Sequence, residues 1–398
     1  MWGDIAIAFL LAFIVAFMAT PWSIKLANKI GAVDIPKDER RMHQNKMPKL
    51  GGVAVIAGFL ISIIYLLFVV TIEGSVNIFG QENYIKKLIG ILLGIIVITI
   101  TGILDDVKTL KPYQKLFGQV LAAVIVIAFG LQIDAINISK LPQIGFNRGL
   151  SIFITLIWIV GITNAINLMD GLDGLSSGIS LISCISLLII FALNNSPMVA
   201  ILTISSLIGA LVGFLPFNFN PAKTFMGDTG SNFIGYCLSI LSIIGMAKTY
   251  TAIVLIAPLI VFGLPLFDTS FAIVRRLIKG KSIKAVFKPD AGHLHHRLIK
   301  HGFTQKQAVL ILYAVTAFLG IFAIILIESG IWKATSFALI ILIMCLVGYK
   351  EVVKQKLLVG DRYEPKKGDE TLLFERDEDV QNKDQIRMED LDHIRKEK

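Results

Sequence analysis

The chain has 398 residues, of which 55% are hydrophobic and 17% are charged, and its mean hydropathy is +0.73. A soluble domain has about 25% charged residues, so this composition excludes an ordinary soluble enzyme and indicates an integral membrane protein. The formal net charge of +9 at pH 7 suits anionic lipids or phosphates as partners. The same charge also arises in membrane proteins that bind no phosphate, because basic residues accumulate on cytoplasmic loops.

Long apolar runs separated by short polar loops predict an all-α polytopic membrane protein. An α-helix needs about 20 apolar residues to cross roughly 30 Å of hydrocarbon. The first run is followed, not preceded, by basic residues, which favours a retained span over a signal peptide. The run from Thr251 contains Pro265, where we expect a bend. The eleven predicted transmembrane helices begin near Ile5, Val53, Leu88, Leu116, Gly149, Leu175, Met198, Phe233, Thr251, Ala308 and Ile331.

The basic residues predict the orientation of these helices. With the N-terminus outside, the cytoplasmic loops hold 20 Lys and Arg residues, and the outer loops hold 6. The positive-inside rule therefore places the N-terminus outside and the C-terminus in the cytoplasm. Residues 1–350 form the predicted transmembrane domain, and residues 351–398 form a charged cytoplasmic tail typical of a partly disordered segment. Cys184, Cys237 and Cys345 lie in apolar runs and are predicted to be buried free thiols.

Acidic residues gather on the predicted cytoplasmic side. Between Leu88 and Gly330 only Asp134 and Glu328 fall on the outer side. So many carboxylates at helix ends would repel one another unless a cation offsets them, which indicates a divalent metal site. Asp268 and Asp290 are expected simply to cap a helix or to pair with a basic neighbour. The inner acids are Asp105, Asp106, Asp170, Asp173, Asp228, Asp268 and Asp290.

The first cluster is the adjacent pair Asp105 and Asp106, in a predicted short loop that also contains Lys115. Two neighbouring carboxylates are not both comfortably ionised in a partly dry site. One is expected to bind a metal or lysine while the other has a raised pKa, so the pair is a candidate general base.

The second cluster contains Asn164, Asn167 and Asp170, whose spacing of three places them on one face of a helix, with Asp173 close behind. Their oxygen ligands suit Mg²⁺, which takes one or two protein carboxylates and completes its shell with water and phosphate. Gly178 is more simply explained by close packing of membrane helices.

The third cluster runs from Pro216 to Asn232 and places Asp228 at the start of a predicted helix. The N–H groups of a helix start can hold phosphate directly, or through a metal on Asp228. The fourth cluster holds three of the six histidines in the most basic loop. The loop lacks the spacing of a zinc site, so hydrogen bonding to sugar and phosphate is the better interpretation. Its residues are His293, His295, His296 and Arg297.

Together the four clusters resemble the polyprenyl-phosphate N-acetylhexosamine-1-phosphate transferase family, glycosyltransferase family 4, over about Thr20 to Tyr349. The chain is most similar to the bacterial branch that transfers N-acetylglucosamine 1-phosphate to undecaprenyl phosphate and starts teichoic acid or O-antigen (lipopolysaccharide) synthesis. Eleven spans and a His-x-His-His loop are typical of that branch. The sister branch, which transfers phospho-N-acetylmuramoyl-pentapeptide, has ten spans, a longer loop after the Asp pair and three consecutive histidines.

The resemblance implies an Mg²⁺-dependent enzyme, with Mn²⁺ as a possible substitute, in the bacterial plasma membrane with its active site on the cytoplasmic face. Its implied partners are UDP-N-acetylglucosamine, undecaprenyl phosphate and membrane lipids, with a homodimer possible and no nucleic acid. Asp228 and Asn167 would hold the metal, and Lys115 would meet substrate phosphate. The implied catalytic residues are Asp105, Asp106, Asp170, Asp173 and Asp228. The remaining implied substrate contacts are Asn164, Asn218, Phe225, His293, His295, His296 and Arg297. Among these, Asn218 and Phe225 would bind the uracil.

Two other classes of protein, a permease or flippase and a prenyl-diphosphate transferase, are the alternatives to this function. A permease or flippase could use the acids as a cation path, but such a path would spread carboxylates through the bilayer depth instead of one face. A prenyl-diphosphate transferase also uses paired Asp residues, but it has no evident need for the histidine loop. A direct transfer and a two-step route through an aspartyl phosphate are both compatible with the sequence.

Overall fold

The computed structural model describes residues 2–35, 46–73, 84–133, 135–136, 144–246, 252–280, 282 and 292–344. Within these ranges the chain is helical apart from two short antiparallel hairpins and the connecting turns. The helices are α1 (Trp2–Ile30), α2 (Gly51–Glu73), α3 (Tyr84–Lys108), α4 (Pro112–Ala128), α5 (Arg148–Leu168), α6 (Leu175–Leu193), α7 (Met198–Asn218), α8 (Gly227–Met246), α9 (Ala252–Val261), α10 (Gly263–Gly280), α11 (Leu294–Lys300), α12 (Gln305–Ser329) and α13 (Ile331–Met344). The hairpins pair β1 (Val33–Asp34) with β2 (Met47–Pro48) and β3 (Ala135–Ile136) with β4 (Ile144–Gly145).

The protein is an all-α polytopic membrane protein, as predicted. Among the described residues seven helices are long and apolar enough to cross a membrane, namely α1, α2, α3, α5, α6, α7 and α12. Each of the eleven predicted apolar segments contains a helix in the structure. The total of eleven crossings and the orientation stay predictions.

The predicted bend at Pro265 is wrong by a few residues. The helix breaks at Phe262, between α9 and α10, and Pro265 lies in the first turn of α10. A proline is tolerated in a first helical turn because its missing N–H would have no intrahelical partner there. The break therefore precedes the proline.

Helix α1 has large apolar side chains on its outer face and small residues on its inner face. Large apolar side chains of α1, such as Leu10 and Met18, are exposed, whereas Ala12 and Ala16 are fully buried. Small residues on the inner face let membrane helices approach closely. A Cβ at Gly209 of α7 would lie 2.1 Å from a backbone oxygen of α1, so this glycine allows the close α1–α7 contact.

Helix α8 is the centre of the bundle, and almost all of its side chains are buried. It packs against α2, α3 and α5, and the largest hydrophobic cluster surrounds it. A Cβ at Gly102 of α3 would lie 2.4 Å from Thr229 Cα, and one at Gly52 of α2 would lie 2.2 Å from the Gly230 nitrogen. The start of α8 is therefore wedged between the end of α3 and the start of α2.

The chain divides into two compact units, Met1–Ala334 and Thr335–Lys398. Residues 335–344, the described part of the second unit, are helical. The predicted domain boundary at residue 350, the tail beyond it and Cys345 lie outside the described residues. Cys184 and Cys237 are free and buried, as predicted.

Candidate active site

The start of α8 is held by the carboxylate of Asp106. Asp106 Oδ1 accepts the Asp228 N–H at 2.9 Å, and Oδ2 accepts the Thr229 N–H at 2.9 Å and the Thr229 hydroxyl at 2.6 Å. The first N–H groups of a helix have no intrahelical acceptor, and the positive end of the helix dipole favours a carboxylate there. Asp106, at 6% exposure, therefore stabilises the turn that presents Asp228.

The Asp105 carboxylate holds the α3–α4 connection. Its Oδ1 accepts the Leu110 N–H at 2.6 Å, and its Oδ2 forms an ion pair with Lys115 in the first turn of α4. The Lys115 ammonium also lies 3.3 Å from Asp228 Oδ1. Contrary to the prediction of a loop, both members of the pair lie in the last turns of α3, which runs to Lys108.

Asn167 connects α5 to the same carboxylate. Its Nδ2 donates to Asp228 Oδ1 at 2.7 Å and to the Ser231 hydroxyl at 2.9 Å. As placed, Asn167 orients Asp228 as a hydrogen-bond donor, whereas a metal ligand would have to present its Oδ1 instead. One turn earlier, Asn164 Oδ1 lies 3.5 Å from Gln119 Nε2 of α4.

Asp170 is not on the predicted helix face, because α5 ends at Leu168 and Asp170 lies in the turn beyond it. Burial, reinforced by the charges of Asp228 and Asp106, raises the pKa of Asp170 to about 8, while Lys49 opposes the shift. The neighbouring carboxylates thus disfavour the ionised form of Asp170 by more than Lys49 compensates.

A divalent cation fits this group of carboxylates. Within the described part of the chain no three His, Cys, Asp or Glu side chains form a metal cluster by themselves. The carboxylate of Asp228 suits Mg²⁺, which takes one or two protein carboxylates and keeps water and phosphate as its other ligands. Asp228 is the carboxylate on which the neighbouring elements converge.

Two of the predicted site residues hold the loop between α7 and α8. Asp173 Oδ2 accepts the Asn220 side-chain N–H at 3.0 Å and the Ala222 backbone N–H at 3.1 Å. Asn218, at 3% exposure, accepts the Ser177 hydroxyl at 2.6 Å and donates to the Thr224 carbonyl at 3.0 Å. Both side chains thus have partners inside the protein, and their catalytic and uracil-binding roles stay predictions.

The half-buried Phe225 lies where the same loop meets the start of α2. Its N–H donates to the Pro48 carbonyl at 2.8 Å, and its carbonyl accepts the Gly51 N–H at 3.0 Å. The next turn requires Gly227, whose φ is +72° and whose added Cβ would lie 2.0 Å from the Lys49 carbonyl oxygen. A side chain at Gly227 would be both strained and obstructed.

The histidine segment packs against the turn that contains Asp170. A Cβ at Gly171 would lie 2.3 Å from His295 Nε2, and the His295 and His296 ring centroids are 4.2 Å apart. Burial and the neighbouring imidazoles lower the pKa of His295 to about 3, so its ring is neutral at pH 7. Its buried Nδ1 has no hydrogen-bond partner among the described residues, which leaves a group for a ligand to satisfy.

Asp268 fixes this segment from α10. Its Oδ2 lies 2.7 Å from His293 Nδ1, and its Oδ1 accepts the Leu294 N–H at 2.9 Å. Asp268 thus caps α11, as expected, and it also orients His293, which was not foreseen. Arg297 is exposed, with its guanidinium 5.2 Å from the centre of the Phe271 ring. Asp290 lies outside the described residues.

Three residues near the site, Gln119, Tyr313 and Lys49, were not predicted from the sequence. Gln119 Nε2 donates to Asn232 Oδ1 at 2.8 Å. Gln119 lies within the apolar run of α4, and no spacing in the sequence indicates its role. The Tyr313 hydroxyl of α12 donates to the Gly174 carbonyl, and its ring occupies the space beside Gly178, which is a packing glycine as expected. In the sequence Lys49 is one of several basic loop residues. The Gly51 and Gly52 that follow it are the signal for a close approach of another backbone segment.

Comparison with known proteins shows which family the chain belongs to. The family model described as glycosyl transferase family 4 matches residues 88–246. A probable undecaprenyl-phosphate N-acetylglucosaminyl 1-phosphate transferase of Bacillus subtilis is 35% identical over 366 residues, which is 91% of this chain and 94% of that protein. A decaprenyl-phosphate N-acetylglucosaminephosphotransferase of Mycobacterium tuberculosis is 31% identical over 340 residues, 78% of this chain and 79% of that protein.

A phospho-N-acetylmuramoyl-pentapeptide-transferase of Halalkalibacterium halodurans is 28% identical over 332 residues, 81% of this chain and 96% of that protein. The bundle of apolar helices and these relatives define a multi-pass membrane transferase. The chain belongs to glycosyl transferase family 4.

Proposed function

We propose that this enzyme transfers N-acetylglucosamine 1-phosphate from UDP-N-acetylglucosamine to undecaprenyl phosphate, which gives undecaprenyl-diphospho-N-acetylglucosamine and UMP. The observation that carries the proposal is the convergence of Lys115 and Asn167 on Asp228 at the start of α8. A helix start with an adjacent lysine is suited to phosphate. The substrates follow from the Bacillus subtilis relative, whose name specifies both the sugar and the lipid.

The reaction has to bring two anions together. An oxygen of the lipid phosphate forms a bond to the β-phosphorus of the donor, and the bond from that phosphorus to the bridging oxygen breaks. The electron pair leaves with UMP. Mg²⁺ held by Asp228, with Mn²⁺ able to replace it, would reduce the repulsion between the phosphates and stabilise the charge on the leaving group.

Lys115 supplies the protein's own positive charge at this point. Its ammonium is already close to Asp105 and Asp228, and 29% of its side chain is exposed, so a phosphate oxygen can reach it. The acceptor phosphate has a second pKa of about 6, so at neutral pH little of it still carries a proton for a base to remove. Positioning and charge neutralisation therefore contribute more than general-base catalysis.

The contacts of Asp105 and Asp106 favour a direct transfer. All four of their carboxylate oxygens have partners, which are the Leu110 N–H, Lys115 and the first turn of α8. A carboxylate that forms an aspartyl phosphate would have to give up these contacts first. We therefore assign the pair to holding Lys115 and Asp228 on the acceptor side.

We assign the donor to Phe225 and to the histidine segment, which packs against Gly171 in the turn after α5. An aromatic face suits a pyrimidine, and the neutral His295 can exchange hydrogen bonds with sugar or phosphate oxygens. The site faces the cytoplasm in this proposal, where the nucleotide sugar is made. The lipid product would begin a cell-wall or surface polysaccharide.

The test uses the full-length protein in detergent with radiolabelled UDP-N-acetylglucosamine and undecaprenyl phosphate, over a titration of Mg²⁺. We expect the wild type to release UMP and to form the lipid product, identified by mass spectrometry. Asp228→Asn should lower the rate by at least about 100-fold, the scale of losing one group that stabilises transition-state charge. Glu328→Gln, a change near the end of α12, is the matched control and should keep the wild-type rate. Wild-type rates in Asp228→Asn, or no UMP from the wild type, would refute the proposal.

A further inference from the structure

Lys49 lies at the edge of the site, in the segment between β2 and α2. Its N–H donates to the Ala32 carbonyl at 3.0 Å. Its own carbonyl is the atom that a side chain at Gly227 would strike. The following Gly51 and Gly52 donate their N–H groups to the carbonyls of Phe225 and Met226, at 3.0 and 2.9 Å. The backbone of Lys49 is thus fixed against the residue that precedes Asp228.

The Lys49 side chain makes a weak ion pair that leaves it able to change partner. Its ammonium lies 3.7 Å from Asp34 Oδ1, and the two side chains are 26% and 15% exposed. A long pair with this much solvent contact contributes little to stability. The same ammonium is close enough to Asp170 to oppose the rise of that carboxyl group's pKa. The cation is therefore within electrostatic reach of the site as well as paired with Asp34.

The charges of the reaction favour a further basic side chain besides Lys115 and the proposed Mg²⁺. A nucleoside diphosphate and a phosphate monoester both enter a site that already contains several carboxylates. Lys115 is engaged by Asp105 and Asp228, on the α3–α4 side. The backbone of Lys49 lies against Gly227, and the Pro48 carbonyl before it accepts the N–H of Phe225, the residue that the proposed function assigns to the donor.

We propose that Lys49 binds the diphosphate of the nucleoside-diphosphate donor, exchanging its long ion pair with Asp34 for the phosphate oxygens. This inference rests on the proposed transferase function and adds a donor-binding residue to it. Lys49 would then determine the affinity for the donor, while Lys115 serves the acceptor side.

The test compares steady-state kinetics and UDP binding by calorimetry in the full-length protein. In Lys49→Met we expect the KM for the UDP-sugar to rise about tenfold or more, the scale of losing one charged hydrogen bond. UDP binding should weaken by a similar factor, and the KM for the lipid phosphate should not change. Lys49→Arg keeps the charge and should restore most of the donor affinity. Lys46→Met, an exposed lysine of the same segment, is the matched control and should behave as the wild type.

Three results would overturn the role of Lys49. These are an unchanged donor KM in Lys49→Met, a rise confined to the acceptor KM, or Lys49→Arg being as impaired as Lys49→Met, which would indicate a structural role. Asp34→Asn removes the competing partner, so it should leave UDP binding equal or tighter. If the wild type released no UMP, the transferase proposal would fail, and the calorimetric comparison of Lys49→Met with the wild type would still decide whether Lys49 binds a nucleoside diphosphate.

Discussion

Replacing Lys115 with methionine removes the cation between two carboxylates and keeps a side chain of similar length. The ammonium pairs with Asp105 Oδ2 and lies 3.3 Å from Asp228 Oδ1. The Asp105 side chain is only 2% exposed, so without Lys115 it becomes a buried charge next to another negative charge. A buried carboxylate without a partner destabilises a folded protein far more than an exposed one.

The size of the effect follows from burial. Removing one partner of a buried ion pair costs about 3–5 kcal/mol. Here the Lys115 side chain is 29% exposed and that of Asp228 26%, so solvent screens part of the interaction. We therefore expect Lys115→Met to lower the free energy of unfolding by about 1–3 kcal/mol.

A double-mutant cycle measured by denaturant unfolding in mixed micelles tests this reasoning. Asp105→Asn removes the charge that Lys115 neutralises, so the double variant should be less destabilised than the sum of the single variants by about 1 kcal/mol or more. Lys108→Met, an exposed lysine at the end of α3, is the control and should stay within about 0.5 kcal/mol of the wild type. Additive effects, or a Lys115→Met variant as stable as this control, would refute the reasoning.

Two further predictions concern the donor side and the start of α8. Asp268→Asn places an amide N–H against His293 Nδ1, which forces the imidazole of His293 into its other tautomer. The KM for the UDP-sugar should therefore rise about tenfold, while the unfolding temperature changes little. An unchanged donor KM would show that the tautomer of His293 does not matter. Gly227→Ala should abolish most of the UMP release, because the new Cβ meets the Lys49 carbonyl. Gly130 also has a positive φ but has open space around it, so Gly130→Ala is the control and should lose stability only. Equal activity losses in the two alanine variants would contradict the contact.

The helices were predictable because each apolar run is long and is bounded by polar residues or glycine. The break near Pro265 was misplaced because sequence does not distinguish a proline within a helix from one in a first turn. The position of Asp170 was misjudged for a related reason. Its spacing from Asn167 fits a helix, but the glycines at 171 and 174 allow the chain to leave the helix first.

The meeting of the acidic clusters was predictable from their common side of the membrane, but the partners of each carboxylate were not. Asp106 reaches the first turn of α8 because α3 and α8 pack closely at Gly102, and no local pattern in the sequence encodes that packing. The same holds for Asp268, whose distance in sequence from His293 hides their contact. Lys49 resembled any other basic loop residue until the structure placed it beside Gly227.

These contacts divide the acids of the site by what they do before substrate arrives. Asp106 and Asp173 are occupied by backbone N–H groups and fix the two ends of the α7–α8 loop. Asp228 is held by side chains alone, from Lys115 and Asn167, which a substrate phosphate or a cation can displace without breaking a helix end. Since a charged ligand gains most where the protein's own contacts are exchangeable, Asp228 is the carboxylate best placed to meet the reacting groups. The remaining acids make its position rigid.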